Sequence, residues 1–299
     1  MWKPFSVVAF AALFAVASLP AGAQVQVHPL PITNPDFLKP FPPFRIVGNL
    51  HYVGTYDLAV YLLATKDGNI LINTGVNDSA PMIRSNIEKL GLRFSDIKLL
   101  LATHGHWDHV GAMAEVKRLT GARMLMHEDD ADLLETGGGR DYRFPEGRGT
   151  IYEPIKVDRR LKEGDKVRLG EVELTVIHHP GHTKGATSFA FTAEDGSRKF
   201  DVLIVNMGTI NPGVNVTFMP AYPGINEAYS TTLARQKKLN PGIWVSSHAG
   251  HFDLHKKYQP GDAYDPKRFV DPDGYLFKIL FYEKLFNAAL QRDRGAEKR

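Results

Sequence analysis

The segment THGHWDHVGAM, Thr103 to Met113, packs three histidines and an aspartate into six residues directly after the apolar run IKLLLA. An unbroken run of this kind reads as a strand covered on both faces, so the polar cluster sits where that strand surfaces. On a helix, residues two apart face away from each other, but in an irregular turn all four side chains can converge. Neutral imidazoles and one carboxylate suit Zn²⁺ or another borderline divalent metal, whereas Ca²⁺ favours oxygen ligands. Four donors on one short loop crowd a single ion, so the spacing points to two neighbouring ions.

Such a site needs donors from elsewhere in the chain, and 12 histidines are available. His182 in HHPGHTKG follows the apolar run ELTVI, and His248 in WVSSHAG follows another. Both therefore stand at strand ends like the first cluster, and ligands from separate strand ends commonly meet at one edge of a sheet. His251 and His255 compete with His248 for that role. His178 and His179 suit hydrogen bonding behind the ligands. His28, His51 and His127 read as structural or surface residues.

The first 23 residues read as a secretory signal: Lys3, the apolar stretch SVVAFAALFAVASL, and the small-residue site Ala21-Gly22-Ala23. The stretch is shorter than the ~20 residues a spanning helix needs. Cleavage would leave residues 24–299 as one periplasmic domain with no membrane anchor. Disulfides are excluded, because the chain has no cysteine. A net charge of +3 without any Lys/Arg run gives nucleic-acid binding no support. A monomer is expected.

After a proline-rich stretch over residues 24–44, FRIVGNLHYVG, DLAVYLLAT and NILINTG read as three strands. A helix capped at Asp78 or Ser79 carries Met82, Ile83, Ile87 and Leu90 on one face and ends at Gly91. Met113, Val116 and Leu119 mark the helix after the histidine cluster. The second half repeats the layout in KVRLG, EVELTVIHHPGH, ATSFAFTAEDG and KFDVLIVNMG, then a helix over 225–239, the strand IWVSSH and a long terminal helix near 275–292. Two such halves predict two facing sheets with helices outside. Thr136 to Pro154 and Thr209 to Gly224 are long enough without regular structure to be functional loops.

THGHWDHVG resembles the H-x-H-x-D-H motif of the metallo-β-lactamase superfamily, and PGHTKG and SSHAG match its later ligand motifs. The order, spacing and export signal look most like subclass B3, and HHPGHTKG, SHAGHFDLHKK and NMG are similar to its GOB-type branch. The resemblance covers the chain from about Phe44 to the terminal helix. It implies an αββα sandwich of two mixed β-sheets with helices on the outer faces, and two zinc ions per chain. His104, His106 and His182 would hold the first ion; Asp108, His109 and His248 would hold the second. The activity implied is hydrolysis of the β-lactam amide bond of penicillins, cephalosporins and carbapenems by dizinc-bound hydroxide. In that reaction Asp108 is the catalytic carboxylate and Thr209 binds substrate, with Lys184 and the arginines of loop 136–154 as rivals.

The chain departs from the GOB-type pattern in carrying His104 where glutamine is typical, which leaves the histidine set complete. B1 enzymes use a cysteine ligand and are excluded. A dizinc hydrolase of another ester, lactone or thioester is the alternative. Glyoxalase II and lactonases place a bridging aspartate where this chain reads VLIVNMG, and Asn206-Met207 offers no carboxylate. Asp201 stands too early in that strand to replace it.

Overall fold

The computed structural model describes residues 25–144 and 148–296, so the expected leader lies outside the described residues. Phe44–Val47 (β1), Leu50–Tyr52 (β2), Tyr61–Thr65 (β3) and Gly68–Ile72 (β4) form an antiparallel meander. FRIVGNLHYVG, expected as one strand, is therefore two, split by a turn that Gly48 enters at φ 53°. Three parallel strands extend the sheet: Ile97–Leu101 (β5), Arg123–His127 (β6) and Arg159–Leu161 (β7). Parallel neighbours need crossovers. Helices Ala80–Lys89 (α1), Trp107–Val110 (α2), Met113–Thr120 (α3) and Glu128–Glu135 (α4) lie within those connections.

The second sheet runs in the order β12-β11-β10-β9-β8. Its strands are Lys166–Leu169 (β8), Val172–His178 (β9), Thr187–Asp195 (β10), Arg198–Val205 (β11) and Ile243–Ser246 (β12). The helix Ile225–Gln236 (α5) carries the chain from β11 to its parallel partner β12. Leu254–Lys257 (α6) and the long Pro272–Ala296 (α7) complete the fold. None of the described helices is long and apolar enough to cross a membrane.

Alternation within the strands builds the layers. Leu63, Ile70, Ile72, Leu99 and Leu101 join Leu174, Val176 and Phe189 in one buried cluster between the sheets. Leu62, Leu71 and Leu100 point the opposite way, against Ile83 and Ile87 of α1 and Met113 and Val116 of α3. Tyr229 and Leu233 of α5 and Tyr275, Ile279 and Phe286 of α7 are buried with the second sheet. The result is the expected αββα sandwich. Leu119 departs from expectation: it is half-exposed on the outer side of α3.

Two buried contacts tie the sheets together at one edge. The Tyr61 hydroxyl donates to Ser246 O across 2.6 Å, and Thr187 N donates to Thr103 O across 2.7 Å. Ser95 and Lys98 have the S-x-x-K spacing of serine acylases. Both are exposed at the start of β5, the end away from the histidines, so they build no acylating site.

Leu63→Ala, in the fully buried layer between the sheets, should lower unfolding stability by about 2–5 kcal/mol. Urea denaturation checks this; metal content should be unchanged.

Candidate metal centre

The ends of β5, β9 and β12 bring the six expected ligands to this same edge, and Thr209, after β11, joins them. The His104 ring centroid lies 4.7, 4.4 and 4.6 Å from those of His106, His109 and His182. His106 and His182 are 4.6 Å apart, and His109 is 4.9 Å from His248. Donor atoms of His104, His106 and His182 fall within 4.8 Å of one another, as do those of His104, Asp108 and His109. Asp108 Oδ2 lies 3.4 Å from His109 Nε2 and 3.6 Å from His248 Nε2. His251 lies next to the cluster, its ring 4.8 Å from His248 and its Nδ1 against Ser246 Oγ, whereas His255 stands aside, donating to Tyr56 O and stacking on Tyr56.

Hydrogen bonds fix which nitrogen each ring leaves free. His182 Nδ1 donates to Thr209 O at 2.8 Å, and His248 Nδ1 donates to Asp57 Oδ2 at 3.0 Å. In both rings the proton is on Nδ1, and the lone pair is on Nε2. His104 Nδ1 lies 3.3 Å from Thr103 Oγ1, and its buried Nε2 has no partner. His106 Nε2 is 3.4 Å from Asp141 Oδ2, which Arg143 also binds. A group of buried imidazoles with unpartnered nitrogens beside a carboxylate is costly unless a cation collects them. The donor set fits zinc.

Burial, and then the neighbouring histidines, hold His104 and His109 well below the usual imidazole range. Burial and the Arg143 charge do the same for His106. Burial brings His182 down to about 4. These rings are neutral at pH 7, as a metal requires. His248 is the exception: burial lowers it, but the Asp57 bond and the Asp108 charge outweigh that and raise it.

Sequence reasoning missed the residues that aim the loops. Asp130 of α4 is sealed from solvent, and burial raises its pKa. Its carboxylate accepts from Gly105 N at 2.9 Å, Thr183 Oγ1 at 2.7 Å and Gly185 N at 2.7 Å. One side chain thus joins the loop of His104 and His106 to the turn of His182. Tyr152 Oη donates to Gly105 O at 2.8 Å, so both backbone polar groups between the two histidines are committed. A Cβ on Gly185 would fall 2.5 Å from Asp130 N. Thr103 Oγ1 meets Ser247 Oγ at 2.9 Å, which links the loops after β5 and β12.

Other expectations are modified. The Thr209 hydroxyl lies 2.9 Å from His182 Nδ1, so it is engaged with the ligand ring rather than free. Lys184 is exposed, with its ammonium 5.6 Å over the Tyr222 ring. Of the loop arginines, Arg143 is the one lying, partly buried, beside the histidines, and it forks onto Asp141. His179 bonds Ser188 Oγ, away from the cluster. The proline-rich segment does reach the site: the Phe37 ring is 6.2 Å from Trp107 and 5.7 Å from His248.

Residues 56–195 match the sequence profile of the metallo-beta-lactamase superfamily. The class B3 di-zinc metallo-beta-lactamase LRA-12 from an Alaskan soil metagenome is 46% identical at TM-score 0.86, over 88% of this chain and 100% of that one. The chain belongs to subclass B3 of the metallo-β-lactamase superfamily. The metallo-beta-lactamase GOB-18 from Elizabethkingia meningoseptica is 44% identical at TM-score 0.86, over 90% of this chain and 99% of that chain. Curated relatives match less of the B3 chain. A hydroxyacylglutathione hydrolase from Bradyrhizobium sp. (strain BTAi1 / ATCC BAA-1182) is 31% identical over 154 residues, 51% of each. The chain spans about half the length of the curated relatives it matches.

Two measurements probe this site. Asp130→Ala strands two glycine N–H groups and should cost about 3–5 kcal/mol by chemical denaturation, with faster zinc loss on dialysis. Chelator-treated protein should melt at lower temperature at pH 5.5 than at pH 7.5. The unfolded histidines take up protons below about 6.5, which the folded rings of His104, His106 and His109 resist. Their contribution is therefore present above pH 6.5 and lost as pH falls toward their folded values. His248, whose pKa is raised, opposes this loss; Asp57, whose bond to His248 outweighs burial and lowers its pKa, adds a further loss only below the usual carboxylate range, outside this pH comparison.

Proposed function

We propose that the chain is a subclass B3 metallo-β-lactamase that hydrolyses the amide of the β-lactam ring, with two zinc ions held at the strand-end cluster. The observation that carries this reading is the convergence of five imidazoles and Asp108 from three separate strand ends. His104, His106 and His182 form one donor set; Asp108, His109 and His248 form the other. Zinc in such sites acts as a Lewis acid and makes water nucleophilic at neutral pH.

The chain's own groups do the rest. Thr209 O and Asp57 hold the tautomers of His182 and His248, so each presents Nε2 without searching. Asp108 Oδ2 faces the two imidazoles, which leaves Oδ1 to orient the attacking water and accept its proton. Trp107 and Phe37 shield the His248 side with apolar surface. We assign recognition of the substrate carboxylate to the Thr209 side of the site. There Thr209 also borders a groove of about 730 Å³ against α7. The protein acts as a monomeric periplasmic domain, residues 24–299, after loss of its leader.

A thioesterase-like dizinc hydrolase is the second reading, favoured by the hydroxyacylglutathione hydrolase relatives. Against it, β11 ends at Val205 and is followed by buried Asn206 and Met207, without a carboxylate. Asp201 is exposed and bonded to Thr192 Oγ1, well before the strand end.

Asp108→Ala should lower carbapenem kcat by at least about 10²-fold, leave the circular dichroism spectrum unchanged and reduce bound zinc toward one per chain. Wild-type rates on a carbapenem should exceed those on S-lactoylglutathione. The reverse order would select the thioester reading.

A further inference from the structure

A second gathering of metal-binding side chains lies outside the catalytic cluster. His127 ends β6 and precedes α4, Asp129 stands in the first turn of α4, and His178 ends β9. The two imidazoles lie face to face, 3.9 Å apart with 19° between their planes. Asp129 Oδ2 is 3.6 Å from His127 Nδ1 and 3.7 Å from His178 Nε2. Donor atoms of all three residues fall within 4.8 Å of one another. His178 Nε2 also sits 2.7 Å from Lys184 O, which brings a fourth oxygen to the same place.

The spacing is informative. At 3.6 and 3.7 Å the Asp129 carboxylate is too far from either ring for a good hydrogen bond, yet it is equidistant from both. Donors around a tetrahedral zinc, each about 2.0–2.2 Å from the ion, are roughly 3.3 Å apart, and the set closes once one of the stacked rings turns so that its in-plane lone pair points at the ion. His127 is buried, and burial and then the His178 charge bring its pKa to about 4; its Nδ1 accepts from Asp129 N at 3.4 Å as the cap of α4, a long contact that a metal would replace. Glu128 and Glu163 add negative charge around it. Glu163 accepts from His178 N, and its other oxygen meets Arg235; Glu128 pairs with Lys162.

We propose a third cation site, formed by His127 Nδ1, Asp129 and His178 Nε2 with Lys184 O beside them, for Zn²⁺ or another borderline divalent metal. Binding moves the His178 ring proton from Nε2 to Nδ1, with no net proton release, and replaces the Lys184 hydrogen bond with a shared metal. The site does not depend on which substrate the enzyme cleaves. It has a structural consequence, because Asp130 and Gly185 are the next residues along from Asp129 and Lys184. A filled site would clamp α4 to the 178–185 turn beside the existing Asp130 bonds, and thereby stiffen the support of His182.

The test is equilibrium dialysis of protein already carrying two zinc ions, against rising free zinc at pH 7.5, with metal counted by mass spectrometry. The expected isotherm has a third equivalent, weaker than the first two. Asp129→Ala and His178→Gln should each weaken that equivalent by at least about tenfold, since loss of even an indirect partner of a metal costs that much. Both variants should keep the first two equivalents and the carbapenem rate of the wild type in the absence of added zinc. An isotherm that stops at two at every zinc concentration short of precipitation overturns the proposal. So does a third equivalent that both variants retain unchanged. Asp129 is half-exposed, so its removal leaves the core intact; His178→Gln gives the same answer from the other element.

Discussion

A carboxylate sealed from water must be met by donors, and Asp130 is met by three that belong to two different loops. That constraint organises the metal edge. Unpaired, the charge would cost several kcal/mol. The chain can satisfy it only by bringing Gly105, Thr183 and Gly185 within bonding distance. The two ligand segments are then held at a fixed separation before any metal arrives. Thr103 and Ser247 do the same for the third segment with a weaker, neutral contact. Much of the energy of ordering the loops is thus supplied by the fold, so a metal entering the cluster loses little affinity to reorganisation.

The histidine positions were legible in the sequence because a run of apolar residues ending in clustered imidazoles has few physical explanations. The sandwich was legible for a related reason: β3, β4, β5, β9, β10 and β11 carry apolar runs or alternation strong enough to mark them. β6, β7 and α4 were not. RMLMH is five residues long with Arg and His at its ends, RRL is three, and EDDADLLE has an acidic first turn and only two leucines. These elements owe their form to neighbours: β6 to its parallel pairing with β5, and α4 to packing of Leu134 in the cluster between the first sheet and its outer helices.

The supporting residues were illegible for a different reason. Asp57, Asp130, Asp141 and Tyr152 are common residue types in segments without distinctive spacing, and their partners lie 191, 25, 35 and 47 positions away. Only the three-dimensional arrangement pairs Asp57 with His248 or Asp130 with Gly105. Thr209 has a contact that no sequence pattern could show. The sequence placed it beside the site, but its hydroxyl and carbonyl are turned to His182. The absent carboxylate after β11 belongs to the same lesson in reverse. There a difference of one side chain, Asn206 or Met207 in place of an aspartate, was visible without any coordinates.

With Gly105 gripped at both its N–H and its carbonyl, the metal-bearing turn has little room to accept inherited change. Any Cβ there would strike Leu133 and Leu134 at 2.8 and 2.9 Å. New preferences among antibiotics would therefore have to arise at the periphery, in the segments over residues 136–154 and 209–224. Selection acting on such an enzyme would reshape its rim and leave its centre as it is.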